Sequence, residues 1–337
     1  MSATATPAPA TEATPSLLQQ LRRRVGGSLL GRRLMQALPV LLFATFVVFG
    51  LLKLVPGDIA VALAGDNASD ARLAEIRQLY GLDQPFLVQY GNWLGHAVQG
   101  DLSKSLMSGE AVITSIARCL PNTALIVGMA LLIALVVGIP LGMLAAAKRG
   151  TKVDGFVMTL ASLGVAVPNF WLAMVLIAFF ALKLNWLPAT GSASITAAPL
   201  DALQHALLPA MAIAAGGIAE VSRQLRSSLV DILSSQQVRT LHAKGLSPMS
   251  ILWKHGLKNV GVNLLTVVTL LANRMLAATV VIEAVFAIPG MGGLIVQGAL
   301  SRDFPVVQGV VFVMVLIVIT INLIADLLYG VIDPRVK

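Results

Sequence analysis

The sequence predicts an all-α polytopic membrane protein with six transmembrane helices. Of its 337 residues, 57% are hydrophobic and only 12% are charged, whereas soluble globular proteins average about 25% charged residues. Six stretches are apolar over the length of about 20 residues that a membrane crossing needs. Lysine and arginine divide unevenly between the segments that join these stretches, as in membrane proteins oriented by their charge. This composition argues strongly against a soluble enzyme.

The chain begins with residues 1–33, which we expect to precede the membrane bundle. Residues 1–15 are mostly Ala, Thr and Pro, a composition that cannot form a packed core and predicts disorder. Residues 16–33 combine leucines with five arginines and favour a short amphipathic helix at the membrane surface. A solvated basic flank that only obeys the charge rule is the alternative.

The rest of the chain, residues 34–337, is predicted to be one six-span transmembrane domain. The first span begins too far from the N-terminus for a secretory signal, so we expect an uncleaved anchor although residues 62–64 resemble a cleavage site. The fourth span is the least apolar and carries Glu220. Prolines predicted to kink three spans are Pro140, Pro168 and Pro209. The predicted spans are residues 34–54, 120–147, 156–182, 205–225, 259–287 and 305–331.

Basic residues predict the orientation of the spans. If the N-terminus is cytoplasmic, the inner segments hold 16 of the 24 Lys and Arg residues, the outer segments hold seven, and Arg274 alone lies within a span. The reverse orientation would break the positive-inside rule at nearly every loop. We therefore predict that both termini are cytoplasmic.

Two of the predicted loops are too long to be simple connectors. The outer loop, residues 55–119, has helix-like patterns around residues 69–80 and 84–98. The inner loop, residues 226–258, has apolar residues at helical spacing that are interrupted by Gly245, which accepts left-handed backbone geometry. Ser247-Pro248 then favours the start of a new helix. The inner loop is therefore predicted to be a helix–turn–helix at the inner membrane surface.

Polar residues within spans are candidates for function, because a charge at membrane depth costs roughly 3 kcal/mol or more. On the fifth span two Thr and one Asn share a face, and Arg274 lies beside it. A translocation pathway explains them; a helix–helix contact, with the Arg paired to a buried acid, is the alternative. Asp326 is expected to be a structural partner near the inner surface. The residues predicted to line the pathway or its gate are Thr266, Thr269, Asn273 and Glu283.

The chain lacks sequence patterns for covalent chemistry. There is no Gly-x4-Gly-Lys-Ser/Thr loop with which to hydrolyse ATP and no His-Glu-x-x-His metal helix. The four His residues are scattered, and none lies at a depth within a span that would suit an intramembrane Ser–His pair. The single cysteine, Cys119, excludes an intramolecular disulfide framework. We predict no catalytic residue, no bound cofactor and no metal site.

Four motifs, taken in order and spacing, carry a resemblance to a known family. The motifs are Pro56-Gly57-Asp58, residues 80–85 continuing to Gly100-Asp101-Leu102, residues 239–247, and residues 283–292 with chain-end residues 326–329 and 333–335. They resemble those of the permease subunits of binding-protein-dependent ABC importers for dipeptides, oligopeptides and nickel, and are most similar to the dipeptide permease B type. The resemblance runs from about residue 30 to the end of the chain.

The resemblance implies a type I ABC importer permease fold and a set of partners. These are a second, homologous permease subunit, two cytoplasmic ABC ATPase subunits that hold ATP and Mg, an external substrate-binding protein and the lipid bilayer, with no nucleic acid. The implied activity is translocation of dipeptides or short oligopeptides by alternating access. Nickel or another small solute is the alternative within the family. A stand-alone, ion-coupled carrier is the alternative from a different class.

The third motif occupies the place of the family's ATPase-docking loop. The family pattern is Glu-Ala-Ala-x3-Gly, and here only Gly245 matches it, so a role that needs the Glu is not implied. We expect Val238, Leu241 and Leu246 to insert into a groove on the ATPase. A surface helix that only completes the bundle is the alternative. The residues implied in ATPase coupling are Arg239, Thr240, Leu241, Ala243, Lys244, Gly245, Leu246 and Ser247.

Overall fold

Helices make up the described part of the chain. A computed structural model describes residues 29–54, 60–61, 69–79 and 81–332, and within these ranges the only strand-like pairing is one isolated bridge, Lys104 to Ala111. The helices are α1 Leu29–Leu54, α2 Asp70–Leu79, α3 Phe86–Val98, α4 Val112–Ala147, α5 Lys152–Ala166, α6 Asn169–Lys183, α7 Pro199–Leu233, α8 Gln236–Ala243, α9 (residues 248–259), α10 Gly261–Val285, α11 Met291–Leu300 and α12 Phe304–Ile332.

Five of these helices are long and apolar enough to span a membrane: α1, α4, α7, α10 and α12. Together with the bent pair α5–α6, they give the six predicted crossing segments in the predicted order. Most of the helices extend beyond the predicted bounds, because regular backbone hydrogen bonding continues into the polar flanks, whereas α10 is shorter than the predicted 259–287. The clearest cases are α4, which begins at Val112 rather than residue 120, and α7, which continues to Leu233 rather than residue 225.

The third crossing is not the continuous span that the sequence predicted. Residues 156–182 fall on α5 and α6, which are bent by 97° where they meet. Pro168 is the N-cap of α6, and Val167 before it has an extended backbone with ψ of 123°. A residue that precedes proline is disfavoured in the helical region, so the break lies there. Pro140 and Pro209, in contrast, lie inside helices that continue without interruption.

α7 lies at the centre of the bundle. In its most apolar stretch 56% of the residues are buried within the chain, compared with 17% for α1 and for α12. Small side chains such as Ala210 and Ala214 face its neighbours and are fully buried, which allows close helix packing in membranes. α4 packs against α7 over much of its length. A helix shielded by protein needs less hydrophobicity than one that faces lipid, which explains why this predicted span was the least apolar.

The two predicted loop substructures are confirmed. Within residues 55–119 the helices α2 and α3 lie where helix-like patterns were expected, and residues 226–258 end in the helix–turn–helix α8–α9. Aromatic side chains attach α3 to α1: the ring centroids of Phe49 and Phe86 are 5.4 Å apart, and those of Phe46 and Tyr90 are 5.3 Å apart. Helix α3 is therefore packed onto the first span.

Some features of the sequence analysis lie outside the described residues. The expected disorder and most of the basic amphipathic helix belong to this group. So do the possible cleavage site and parts of three family motifs. The residues concerned are 1–28, 56–58, 62–64, 80 and 333–335.

Candidate functional site

The predicted coupling segment, residues 239–247, is shaped by a hydrogen-bonded helix end. Gly245 has φ of +79°, its N–H donates to the carbonyl of His242 at 2.9 Å, and the N–H of Leu246 donates to the carbonyl of Leu241 at 3.3 Å. This is the Schellman arrangement that ends helices on a left-handed residue. Ser247 then begins α9, because its Oγ accepts the N–H of Ser250 at 3.3 Å. The turn therefore has a fixed geometry.

The two faces of the coupling segment differ from the prediction. Val238 is buried against the chain's own bundle, and Leu241 and Leu246 are half-buried, so the expectation that all three are free to insert into a partner is wrong. Two large apolar side chains on α9, Met249 and Trp253, are exposed instead. Sequence reasoning missed them because α9 contains a π-helical stretch that changes its periodicity. The exposed residues of the segment are Arg239, Thr240, Ala243, Lys244, Gly245 and Ser247.

The coupling segment is connected rigidly to the core. Only Ser234 and Ser235 separate α7 from α8. At the same end of α7 the guanidinium of Arg226 donates two hydrogen bonds to Asp154, from Nε to Oδ1 at 2.5 Å and from a terminal nitrogen to Oδ2 at 2.6 Å. Asp154 also accepts the N–H of Gly150 at 2.9 Å. This ion pair ties the α4–α5 turn to α7. The sequence alone could have suggested it, because Asp154 and Arg226 have opposite charges and lie at the ends of neighbouring spans.

Two of the predicted pathway residues contact α12. Thr266 Oγ1 lies 2.6 Å from the hydroxyl of Tyr329, and Asn273 Nδ2 donates to Asn322 Oδ1 at 3.3 Å. Thr269 donates to the carbonyl of Leu265 within its own helix at 2.8 Å. These contacts fit the alternative of helix–helix hydrogen bonds. A pathway role for the three residues stays a prediction.

Asn273 also lines a cavity of about 490 Å³ between α1, α10 and α12. The walls are mostly apolar. At one end Arg33 Nε and Asp326 Oδ2 form an ion pair at 3.0 Å. The expectation that Asp326 is a structural partner is confirmed, because this pair joins the first span to the last.

Glu283 is fully buried at the other end of α10. Its Oε1 accepts the hydroxyl of Thr123 at 2.5 Å, and its Oε2 accepts the N–H groups of Gly292 at 2.8 Å and Gly293 at 3.1 Å. Thr123 in turn accepts the N–H of Met291 at 2.9 Å. The first N–H groups of a helix have no partner within it, so Glu283 and Thr123 together cap α11. The carboxylate is fully enclosed by these partners, and its predicted role at a gate stays a prediction that would act through α11.

The segment that joins α10 to α11 is held from several sides. Asn122 Nδ2 donates to the carbonyl of Pro289 at 2.8 Å, and the N–H of Gly191 donates to the carbonyl of Phe286 at 2.9 Å. α11 itself was not predicted, because its ten residues are too few for a span. The motif at residues 283–292 is thus a capped re-entry of the chain into the bundle.

Asp303 is a buried residue that the sequence analysis did not single out. Its carboxylate accepts the hydroxyl of Ser105 at 2.5 Å and the N–H of Leu106 at 3.0 Å. These partners precede α4 in the chain, whereas Asp303 directly precedes α12. Nothing local in the sequence marks the contact, which links segments almost 200 residues apart. It fixes the loop before α4 onto the start of the last span.

The predicted site residues therefore lie in three separate places: the exposed segment 239–247, the face of α10 near α12, and the Glu283 cap of α11. Six crossing segments, one of which is the central helix α7, together with an exposed helical segment just after that helix, define an integral membrane protein of the transporter permease class. The sequence model of the family described as the binding-protein-dependent transport system inner membrane component matches residues 138–337, and the model of the N-terminal part of such components matches residues 28–127. The chain belongs to this family.

Two relatives match nearly the whole chain. A putative peptide transport system permease protein of Brucella abortus is 39% identical over 310 residues, which cover 92% of this chain and 99% of the relative. The oligopeptide transport system permease protein AppB of Bacillus subtilis is 35% identical over 309 residues, with 91% and 98% covered. Because the family consists of ABC transporter permeases, this chain is a non-catalytic, multi-pass membrane subunit of an importer of that kind.

A solved structure confirms the fold class. The permease fold of the methionine ABC transporter MetNI, solved in inward-facing conformations, aligns with a TM-score of 0.56 at 19% identity. The alignment covers 66% of this chain and 97% of that chain. The predicted type I ABC importer permease architecture is therefore correct.

Proposed function

We propose that this chain is one transmembrane half of an ATP-driven importer that moves dipeptides or short oligopeptides into the cytoplasm. The complete transporter contains a second homologous permease subunit, two cytoplasmic ABC ATPase subunits and an external substrate-binding protein, in a bacterial inner membrane. ATP and Mg are held by the ATPases, and this chain binds no cofactor of its own. Both termini and the segment 239–247 lie on the cytoplasmic side.

The observation that carries the proposal is similarity over almost the full length to permeases named for peptide and oligopeptide transport. The geometry supports it. The chain has no P-loop, so force for transport has to come from a partner. The segment 239–247 offers the exposed cations Arg239 and Lys244 to carboxylates on such a partner. A force applied to this segment reaches the centre of the bundle through α7. The last turns of α7 begin at Arg226, which forms an ion pair with Asp154.

Cysteine labelling tests the orientation. With Cys119 replaced by Ser, an impermeant thiol reagent added to intact cells is expected to modify Asp70→Cys and to leave Gln236→Cys unmodified. Both positions are exposed, and Cys119 is buried, so accessibility reports the side of the membrane. Permeabilised cells provide the control, because there both positions should react. Modification of Gln236→Cys in intact cells would contradict the cytoplasmic location of the coupling segment.

Reconstitution tests the transport activity. The complete complex in liposomes, with its binding protein outside and ATP inside, is expected to accumulate a labelled dipeptide or tripeptide. Uptake should fall at least tenfold without ATP, because the permease subunits have no nucleotide site and depend on the ATPases. It should fall at least tenfold without this chain as well, because the second permease subunit forms only half of the pathway. Uptake of nickel but of no peptide would assign the alternative substrate. Uptake by this chain alone, driven by an ion gradient, would contradict the importer proposal.

A further inference from the structure

One exposed stripe runs along the whole of α10. At 100° per residue its members fall within about 80° of each other on the helix surface. The rest of α10 packs mainly against α4, α6, α7, α11 and α12. The residues of the stripe, in order from the predicted cytoplasmic end, are Asn263, Thr266, Leu270, Arg274, Ala277, Val281 and Ala284.

Arg274 lies midway along this 25-residue helix, and its side chain is 65% exposed. Its guanidinium is 2.7 Å from the carboxylate of Glu220 on α7, which is 26% exposed. An ion pair so exposed in the middle of a span is too costly to face lipid tails. Ionisable residues at this depth face either a water-filled space or a bundle interior. The stripe is therefore a surface that the assembled transporter keeps away from lipid.

The stripe changes character at Arg274. On the predicted cytoplasmic side of it the exposed surface is polar apart from Leu270: Asn263 Nδ2 donates to Ser228 Oγ at 2.5 Å, and Gln224 Nε2 lies 3.5 Å from Asn263 Oδ1. On the other side of Arg274 the exposed residues are Ala277, Val281 and Ala284, which are small or apolar. The polar part extends about 16 Å along the helix axis, at 1.5 Å per residue, and ends at the ion pair.

We infer that the polar half of the stripe is one wall of a water-filled vestibule that opens to the cytoplasm. The Arg274–Glu220 pair lies at the closed end of this vestibule, midway along α10, and contacts the charged termini of a zwitterionic peptide. The second permease subunit supplies the opposite wall. The apolar half of the stripe packs against that subunit and closes the vestibule towards the outside. This inference rests on the proposed function, and names a binding contact and its ligand class within it.

The chemistry of the pair fits such a ligand. A guanidinium binds a carboxylate through two parallel hydrogen bonds, and the carboxylate of Glu220 can accept bonds from an ammonium group. A dipeptide carries both groups a short distance apart. The peptide can carry side chains of any kind, because the neighbouring stripe residues Leu270 and Ala277 have no polar group with which to select one. The site therefore selects the termini of the peptide and not its sequence.

Accessibility of Leu270 tests the vestibule. In the assembled complex with Cys119→Ser, a small water-soluble methanethiosulfonate applied to the cytoplasmic side is expected to modify Leu270→Cys at least tenfold faster than Val136→Cys. Val136 is a matched control, because it is an equally apolar and exposed residue at a comparable depth on α4, which we expect to face lipid. Equal rates at the two positions would overturn the vestibule.

Protection by peptide tests the contact without involving the binding protein. Ala-Ala is expected to slow modification of Leu270→Cys at least threefold, whereas acetyl-Ala-Ala-amide, which lacks both charges, is expected to have no effect. Adding Arg274→Gln should abolish protection by Ala-Ala while leaving the unprotected rate within twofold.

Two results would overturn the contact and separate it from the proposed function. Equal protection by the blocked and unblocked peptides would show that the termini are not recognised. No protection in a complex that imports Ala-Ala would remove the contact and leave the importer intact. If the complex imports no peptide at all, the proposed peptide substrate is wrong, whatever the labelling rates are.

Discussion

Gly290→Ala is expected to lower the free energy of unfolding of the protein by about 1–3 kcal/mol, the usual cost of overpacking a filled interior. A Cβ at this position would lie 2.2 Å from Cδ of Glu283, and Glu283 is fully buried. If its carboxylate moved aside, the N–H groups of Gly292 and Gly293 would lose their acceptor, at roughly 1–3 kcal/mol for each buried group left unpaired. The backbone of Gly290 is extended, so the effect is steric.

The measurement is thermal unfolding of the purified complex, together with uptake per membrane-inserted copy. Gly293→Ala, in the first turn of α11, is a matched control, since its Cβ would meet nothing closer than the carbonyl of Ile288 at 3.6 Å. The stability of Glu283→Gln should fall between those of the two variants. The amide keeps the shape of the carboxylate and one acceptor, but it turns an NH₂ group to Thr123 or to the helix end. Equal stability of Gly290→Ala and Gly293→Ala would contradict the cap.

Gly245→Val is expected to remove uptake while leaving the membrane domain assembled. The left-handed backbone at φ of +79° costs a residue with a Cβ about 1–2 kcal/mol, and more for a β-branched one. No atom lies within 4 Å of the position of a Cβ, so the substitution strains the turn without a clash. The helix end at Leu241 and Leu246 would then open and displace Arg239 and Lys244. Co-purification of the ATPases should fall about tenfold.

The control is Gly245→Asn, because Asn adopts the left-handed conformation more readily than other residues with a Cβ. It should retain most of the ATPase recovery and most of the uptake. Membrane abundance and pairing with the second permease should be normal in both variants. If the ATPases co-purify with Gly245→Val at the level of the unsubstituted protein and uptake persists, the segment 239–247 is not the coupling element.

The spans could be predicted from sequence because lipid imposes one local requirement, apolarity over a fixed length. The turn at Gly245 and the helix start at Ser247 could be predicted for a related reason. Both depend on the intrinsic backbone preferences of one or two residues. Loop helices α2 and α3 were also predicted, because a helical pattern of residues is a local signal.

Features that depend on partners far along the chain could not be predicted. Glu283 was recognised as unusual, but its capping partner Thr123 is 160 residues away, and no periodicity connects them. Pairing of Arg274 with an acid was the alternative to a pathway role, and only packing shows that the acid is Glu220. The 97° bend at Pro168 is another case, because Pro140 and Pro209 lie in helices of similar composition that do not break.

The lengths of α4 and α7 set how the protein crosses the headgroup layers of the membrane. With 36 and 35 residues, each helix is more than 50 Å long at about 1.5 Å per residue, whereas the hydrocarbon layer is about 30 Å thick. The surplus of α4 lies before residue 120 and that of α7 after residue 225, hence on opposite sides. Rigid helix, and not flexible loop, therefore crosses both headgroup layers. Because the length of the hydrophobic stretch, and not that of the whole helix, sets the mismatch with a bilayer, these polar helix ends carry the bundle's hydrogen-bonded backbone through the headgroup layers without lengthening its hydrophobic belt.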